Sequence, residues 1–282
     1  MVITTDARLK GLKFRIAGKK IQLKFIIIFT LFITAVSCKK NEISEKTPIC
    51  NLTKITIEGS ADSTVFRYNK DNKLSEIINY RAKCGAKWFF TYPKVNQLVI
   101  TYQTECPDFI QDFYPVVIDF NDAGQVVEMK KTPSNGVTFS LAYSGDNIVS
   151  LLRKSQGTIS ETHFEYIGNN VSKAYRFSAV LNTTVLHYEG LKYDNMKTLY
   201  TKEHMLWRLY GITFINGSTY DFLSQNNVLS YNRYLGSGPP IDKGAITLEY
   251  NSNQYPTKIT STITNAYVPP IPTIGYYQYS CQ

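Results

Sequence analysis

Phe66-Arg-Tyr68-Asn-Lys-Asp-Asn-Lys-Leu74-Ser-Glu-Ile77 is the stretch that decides how the chain is read. An aromatic closes an alternating run, Asn and Asp mark a turn, and two aliphatics follow three positions apart. The order returns as Ile118-Asp-Phe120-Asn-Asp-Ala-Gly-Gln-Val126-Val-Glu-Met129 and as Leu141-Ala-Tyr143-Ser-Gly-Asp-Asn-Ile148-Val-Ser-Leu151. It returns again as Phe164-Glu-Tyr166-Ile-Gly-Asn-Asn-Val171-Ser-Lys-Ala174, and late as Leu248-Glu-Tyr250-Asn-Ser-Asn-Gln-Tyr255-Pro-Thr-Lys-Ile259. The closing aromatics fall at Tyr68, Tyr92, Phe120, Tyr143, Tyr166, Tyr193 and Tyr250. They are separated by 24, 28, 23, 23, 27 and then 57 positions, the last about two units. A period of that size is one supersecondary unit, here two strands and their turns.

Alternation precedes each aromatic. Trp88, Phe90 and Tyr92 share a face, as do Val116, Ile118 and Phe120, then Phe139, Leu141 and Tyr143, and Ile246, Leu248 and Tyr250. Period two is a strand with one buried face. The turn residues are types that tolerate positive φ or bond their own backbone. The aliphatics often come three apart, which breaks strict alternation and predicts a bulge or a twist after the turn. The Tyr193 copy reads as a tight hairpin to Leu199, and a degenerate unit is read from Tyr220 to Val228. Residues 202–209 suit one short helix, with a strand and loop as the alternative. Ser237-Gly-Pro-Pro240 and Val268-Pro-Pro-Ile-Pro272 read as loops, because proline cannot donate to a ladder. The expected fold is all-β: a large curved antiparallel sheet of successive hairpins, a half-barrel or rolled shell with its aromatic side inward.

The start of the chain is different. Seven of its 31 basic residues and one of its 22 acidic residues lie in 1–37, before an apolar run from Phe25 to Ser37. Basic residues, a short apolar run and small residues before a cut form a signal-peptide pattern. The run is shorter than the roughly 20 residues a membrane span needs. Ala35-Val36-Ser37-Cys38 resembles the lipobox of bacterial lipoproteins, which implies lipidation of Cys38 and a membrane partner through that lipid. The expected organisation is a leader over 1–37, a polar tether over 38–48 and one β-repeat domain over 49–282. Without the leader, 24 basic residues face 21 acidic ones, so most of the +9 net charge belongs to the leader. No basic cluster remains to neutralise phosphates, and nucleic acid is excluded as a partner.

The repeating unit resembles YD/RHS-type repeats. Together with the lipobox and the Tyr277-Gln-Tyr-Ser-Cys281 ending, it looks like a group of lipoproteins of Bacteroidota. The resemblance covers roughly 50–282 and implies a location at the outer membrane, facing the periplasm or the cell surface. It carries no catalytic residues that could be transferred.

Four cysteines follow Cys38, and an even count in an exported chain predicts disulfides. A turn centred on Val95 would set Tyr92 opposite Leu98, Phe90 opposite Ile100 and Trp88 opposite Tyr102. Each pair of positions adds to 190, and so do Cys84 and Cys106. That leaves Cys50 with Cys281, tying the first strand to the last. Zinc is the alternative, but there is no Cys-x-x-Cys, and His163, His187 and His204 have no partner spacing.

No Gly-rich phosphate loop, Gly-x-Ser-x-Gly or His-Glu-x-x-His occurs. Asp71, Asp122, Asp146 and Asp194 recur one to a turn, which is turn chemistry rather than a calcium site. No cofactor or metal is expected. Most of the 21 Tyr, 15 Phe and 2 Trp belong to the core face. Tyr231, Tyr234, Tyr276, Tyr277 and Tyr279 fall off the pattern, and the first four form a candidate ligand surface able to stack on sugar rings. The function expected is a non-enzymatic binding or scaffold module for a glycan or an envelope protein. The alternative is a glycan hydrolase using two of Glu161, Glu165 and Glu189.

Overall fold

The computed structural model describes residues 50–81, 84–105, 115–131, 136–178, 182–196, 198, 204–209, 220–265 and 269–281. All of them lie in one compact unit, Thr47–Gln282. Its strands are β1 (Cys50–Ile57), β2 (Ser63–Tyr68), β3 (Leu74–Tyr80), β4 (Ala86–Lys94), β5 (Gln97–Thr104), β6 (Val116–Phe120), β7 (Val126–Lys131) and β8 (Thr138–Ser144). They continue as β9 (Asn147–Ser155), β10 (Thr158–Ile167), β11 (Asn170–Ser178), β12 (Thr183–Tyr193), β13 (Val228–Arg233), β14 (Asp242–Tyr250), β15 (Pro256–Asn265) and β16 (Ile271–Cys281). Each pairs antiparallel with its sequence neighbours, and β1 pairs with β16, so the sheet is a closed barrel. The expected half-barrel is thus corrected. The sheet curls far enough for its two ends to meet, which removes both edges.

The repeat explains the geometry. Tyr68 pairs with Leu74, but Arg67 pairs with Glu76, so Ser75 is the extra residue of a bulge. The same skip falls on Val127 after Phe120, Val149 after Tyr143, Ser172 after Tyr166 and Thr257 after Tyr250. The expected bulges are therefore present, and they turn both aliphatics of each unit inward. Bulges also raise local twist, the property a closing sheet needs.

All seven aromatics end up at one rim, because each closes an even-to-odd hairpin of an up-and-down barrel. There the tyrosines stitch neighbouring units together. Tyr68 donates its hydroxyl to the Leu52 carbonyl at 2.8 Å, Tyr92 to Leu74 at 3.0 Å and Tyr166 to Ile148 at 2.9 Å. Tyr193 donates likewise to Val171, and Tyr143 bonds the backbone of Val126. Each acceptor is the first aliphatic of the preceding unit. Burial pushes the Tyr143 hydroxyl up to about 12, so it remains a donor at any physiological pH.

The eighth unit is divided between the chain ends. Tyr279 pairs with Leu52, Gln278 with Lys54, and Thr53 is the extra residue, its hydroxyl donating to the Gln278 carbonyl at 3.0 Å. Where the other units have a turn, this one has the Cys50–Cys281 disulfide. That is the bridge expected between first and last strands.

The region after Tyr193 departs from the sequence reading. The aliphatic that answers Tyr193 is Val228, not Leu199, so the hairpin is not tight. The supposed unit from Tyr220 to Val228 is no hairpin either. Tyr220 and Phe222 are buried around a 3₁₀ turn, Asp221–Leu223. Residues 204–209 form the short helix α1, whose Leu206 and Leu209 are buried. The neck of this insertion reuses ordinary turn chemistry. Asp194 Oδ1 accepts the Met196 and Asn227 amides at 3.1 Å, as Asn69 and Asn251 do in true turns. The other end of the barrel agrees better: 234–241 is a loop. Ile271 and Pro272, however, open β16, at a strand start where proline is tolerated.

One buried cluster runs round the barrel, from Leu52 and Phe66 through Phe139 and Phe164 to Tyr231. It also takes in Leu206, Leu209, Tyr220 and Phe222 from the insertion, so the lumen is the core. Trp207 of α1 meets Phe66 and Trp88 edge-on at 6.0 Å each, and Tyr220 meets Phe164 at 5.1 Å. Tyr166→Phe should cost about 1 kcal/mol by removing one stitch at constant shape. Chemical denaturation would read it, and an unchanged midpoint would show that the stitch contributes nothing.

Candidate functional site

At the aromatic rim a cleft of about 280 Å³ opens beside Phe120. Its walls are Tyr92 and Phe120, and its floor is Leu206 of α1. Lys73, Val95, Asn96 and Asp122 crown it from the turns after β2, β4 and β6, with Asn121 and Gly124 behind. The Lys73 ammonium sits 5.0 Å from the centre of the Tyr92 ring. Asn121 is committed to its own turn, accepting the Gln125 amide at 2.9 Å. Gly124 has φ +73°, which fits it for the fourth turn position. Asn72 and Gln254 hold the same position and the same sign of φ in their units. The cleft lies where the rim pattern departs from itself, since Phe120 has no hydroxyl with which to reach the preceding unit.

The residues singled out in the sequence are placed as follows. Tyr68, Tyr92, Phe120, Tyr143, Tyr166 and Tyr193 pack against the core, while Tyr250 donates to Asp194 at the neck of the insertion. Tyr231 is 7% exposed and stacks on Tyr188 at 5.7 Å and 26°. Gly244 faces its ring so closely that no Cβ would fit. Tyr277 also packs against the core. These two are therefore core residues and not a ligand surface. Tyr234 donates to Glu189 at 2.9 Å and Tyr276 to Glu58 at 3.0 Å, both on the other face of the sheet. Cross-strand alternation places the two inward tyrosines and the two outward ones on opposite faces, so they make no common surface.

The glutamates do not gather in the lumen. Glu161 accepts from Ser150 at 2.5 Å and lies 3.2 Å from His163. Glu165 accepts from Tyr175 at 3.4 Å, and Glu189 from Asn232 at 3.2 Å. Their ladder partners alternate with core residues, so all three point away from the lumen. Among the described residues, no three of His, Cys, Asp and Glu converge on one point.

The register that pairs Trp88 with Tyr102 and Phe90 with Ile100 is the expected one. Toward the rim it shifts: Lys94 pairs with Gln97 around a two-residue turn, so Tyr92 is not squarely opposite Leu98. In the other direction the Glu105 amide donates to the Gly85 carbonyl at 3.0 Å, one step short of position 84. Cys84 is disulfide-bonded. Cys106, like Cys38, lies outside the described residues.

The spacing of the histidines, read only against a zinc site, missed one feature. His204 is 1% exposed, its Nε2 3.1 Å from the Tyr68 hydroxyl and its ring edge-on to Phe66 at 4.9 Å. Nothing in the sequence says that residue 204 would enter the lumen, because the helix that carries it is short and interrupts the repeat.

No protein-family model matches this chain, and no curated protein matches it. Among solved structures, the chain is similar to a porin-like protein from Bacteroides uniformis at 12% identity and a TM-score of 0.55, over 81% of this chain and 96% of that one. A porin-like protein from Bacteroides vulgatus aligns at 10% identity and a TM-score of 0.39, over 82% and 99%. The first shows a shared all-antiparallel barrel fold.

Burial lowers the His204 pKa to about 4, against an ordinary value near 6.5. The unfolded chain therefore binds this proton first as pH falls, and stability declines between pH 6.5 and 4. The loss should reach about 3 kcal/mol at pH 4. His204→Gln should flatten that slope in denaturation curves taken at pH 7, 5.5 and 4. An equally steep slope in the variant would place the proton elsewhere.

Proposed function

We propose that the protein is a lipid-tethered, water-facing barrel of the cell envelope that works as a non-enzymatic binding or scaffold module. The observation that carries this reading is the direction in which the barrel is polar. Membrane-spanning barrels turn an apolar band outward and keep a polar interior. Here the lumen holds the core, and the outer face holds charge. Arg67 pairs with Glu76 and Lys258 with Glu249 at 2.8 Å, and Lys130 with Asp119 at 3.3 Å, all on outward positions of neighbouring strands. A Lys or Arg on the lipid face costs about 2–4 kcal/mol at the bilayer midplane. Among the described residues, Leu206 and Leu209 of α1 and Phe222 of the Asp221–Leu223 turn join the lumen core, which supports a filled barrel over a channel.

On this reading the porin-like neighbour supports the barrel and not the pore. The leader, the lipobox Cys38 and the polar tether support attachment to the outer membrane, with the domain in the periplasm or at the surface. Residues 39–282, exported behind an ordinary secretory leader, should purify without detergent and give no conductance in planar bilayers. A protein that needs detergent, or that opens ion channels, would overturn the proposal.

A further inference from the structure

We propose that the rim cleft beside Phe120 binds a neutral oligosaccharide, a step that rests on the binding-module reading above and names its ligand class. Three features of the cleft point this way. Its two walls are aromatic, Tyr92 and Phe120, and its floor is the apolar side chain of Leu206. Pyranose rings present C–H faces to such walls and carry hydroxyls round the edge, where amphipathic aromatics with polar neighbours suit them.

The second feature is the polar crown. Asn96 offers an amide and Asp122 a carboxylate, both exposed, and neither side chain makes a hydrogen bond to another described residue. An amide gives donor and acceptor together and a carboxylate two acceptors, the set that vicinal hydroxyls satisfy. The third is charge. One cation, Lys73, and one anion, Asp122, line the same cleft. Their balance favours an uncharged ligand over an acidic sugar or a phosphate.

The position also has a structural reason. The five-residue turns after β2 and β6 flank a two-residue turn after β4, and this leaves a notch at the rim. Helix α1 closes the bottom of that notch, so the insertion that fills the lumen also shapes the site.

The test is a titration of isotope-labelled 39–282 protein, followed by amide NMR. The probes are hexaoses of glucose, mannose, galactose, xylose and N-acetylglucosamine, each up to millimolar concentration. The expected result is shifts confined to residues 73, 92, 95–96 and 120–124 with at least one probe. Asn96→Ala and Asp122→Ala, two exposed turn substitutions outside the packed core, should each weaken that binding about tenfold. Absence of cleft shifts with every probe, or binding unchanged in both variants, would overturn the sugar site. The binding-module reading fails separately, through detergent dependence, conductance or release of new reducing ends from any probe.

Discussion

The fold depends on one small interaction made over and over: a tyrosine hydroxyl at the rim donating to the backbone of the preceding unit. Each such bond contributes only about 1 kcal/mol net. Its consequence is geometric. It fixes the distance between consecutive hairpins from outside the ladder, at the point where a bulge has already bent the strand. Five rim tyrosines, Tyr68, Tyr92, Tyr143, Tyr166 and Tyr193, do this in the same way. The same bend repeated round the sheet brings β1 back to β16.

Closure then settles where polarity goes. A ring of units whose aromatics and aliphatics point inward fills its lumen with apolar side chains. The long connection after Tyr193 uses the remaining space, delivering Leu206, Leu209, Tyr220 and Phe222 to the core. It is pinned to the neighbouring β10–β11 turn, where Asn226 donates to Asn170 at 2.9 Å and Ser224 accepts from the Val171 amide at 3.0 Å. The outer face carries cross-strand charge pairs, Arg67–Glu76, Lys130–Asp119 and Lys258–Glu249, beside single apolar side chains such as Val127 and Ile159. A fold shared with a porin-like protein is here packed with an apolar core in its lumen. That packing illustrates why function is argued from the site and the surface rather than from the fold.

Much of this was legible in the residues. The three-residue spacing of Leu74 and Ile77 announced a bulge, and the register of Trp88 with Tyr102 followed from alternation. Cys50 and Cys281 could be matched by elimination. Closure was not legible, because alternation describes one strand and its neighbour but not how far bends add up. Tyr231 and Tyr277 were misplaced because their units are interrupted: Tyr231 lies three positions after Val228, across the long insertion from Tyr193, and Tyr277 lies two before Tyr279 in the unit divided between the chain ends. The lumen helix was seen as a helix, yet its destination depends on packing between residues far apart in sequence. The rim cleft depends on comparing turn lengths in adjacent hairpins, which is visible only once their order round the barrel is known.

The central claim is that the barrel is a ring of eight like units, the last one joined through a disulfide where the others have a turn. Hydrogen exchange on a Cys50→Ser, Cys281→Ser protein tests this most directly. If the bridge stands in for a turn, amides of β1 and β16 near Leu52 and Tyr279 should lose protection at least tenfold, while β8–β11 on the far side of the ring keep theirs. Unchanged protection at Leu52 and Tyr279 would contradict the account.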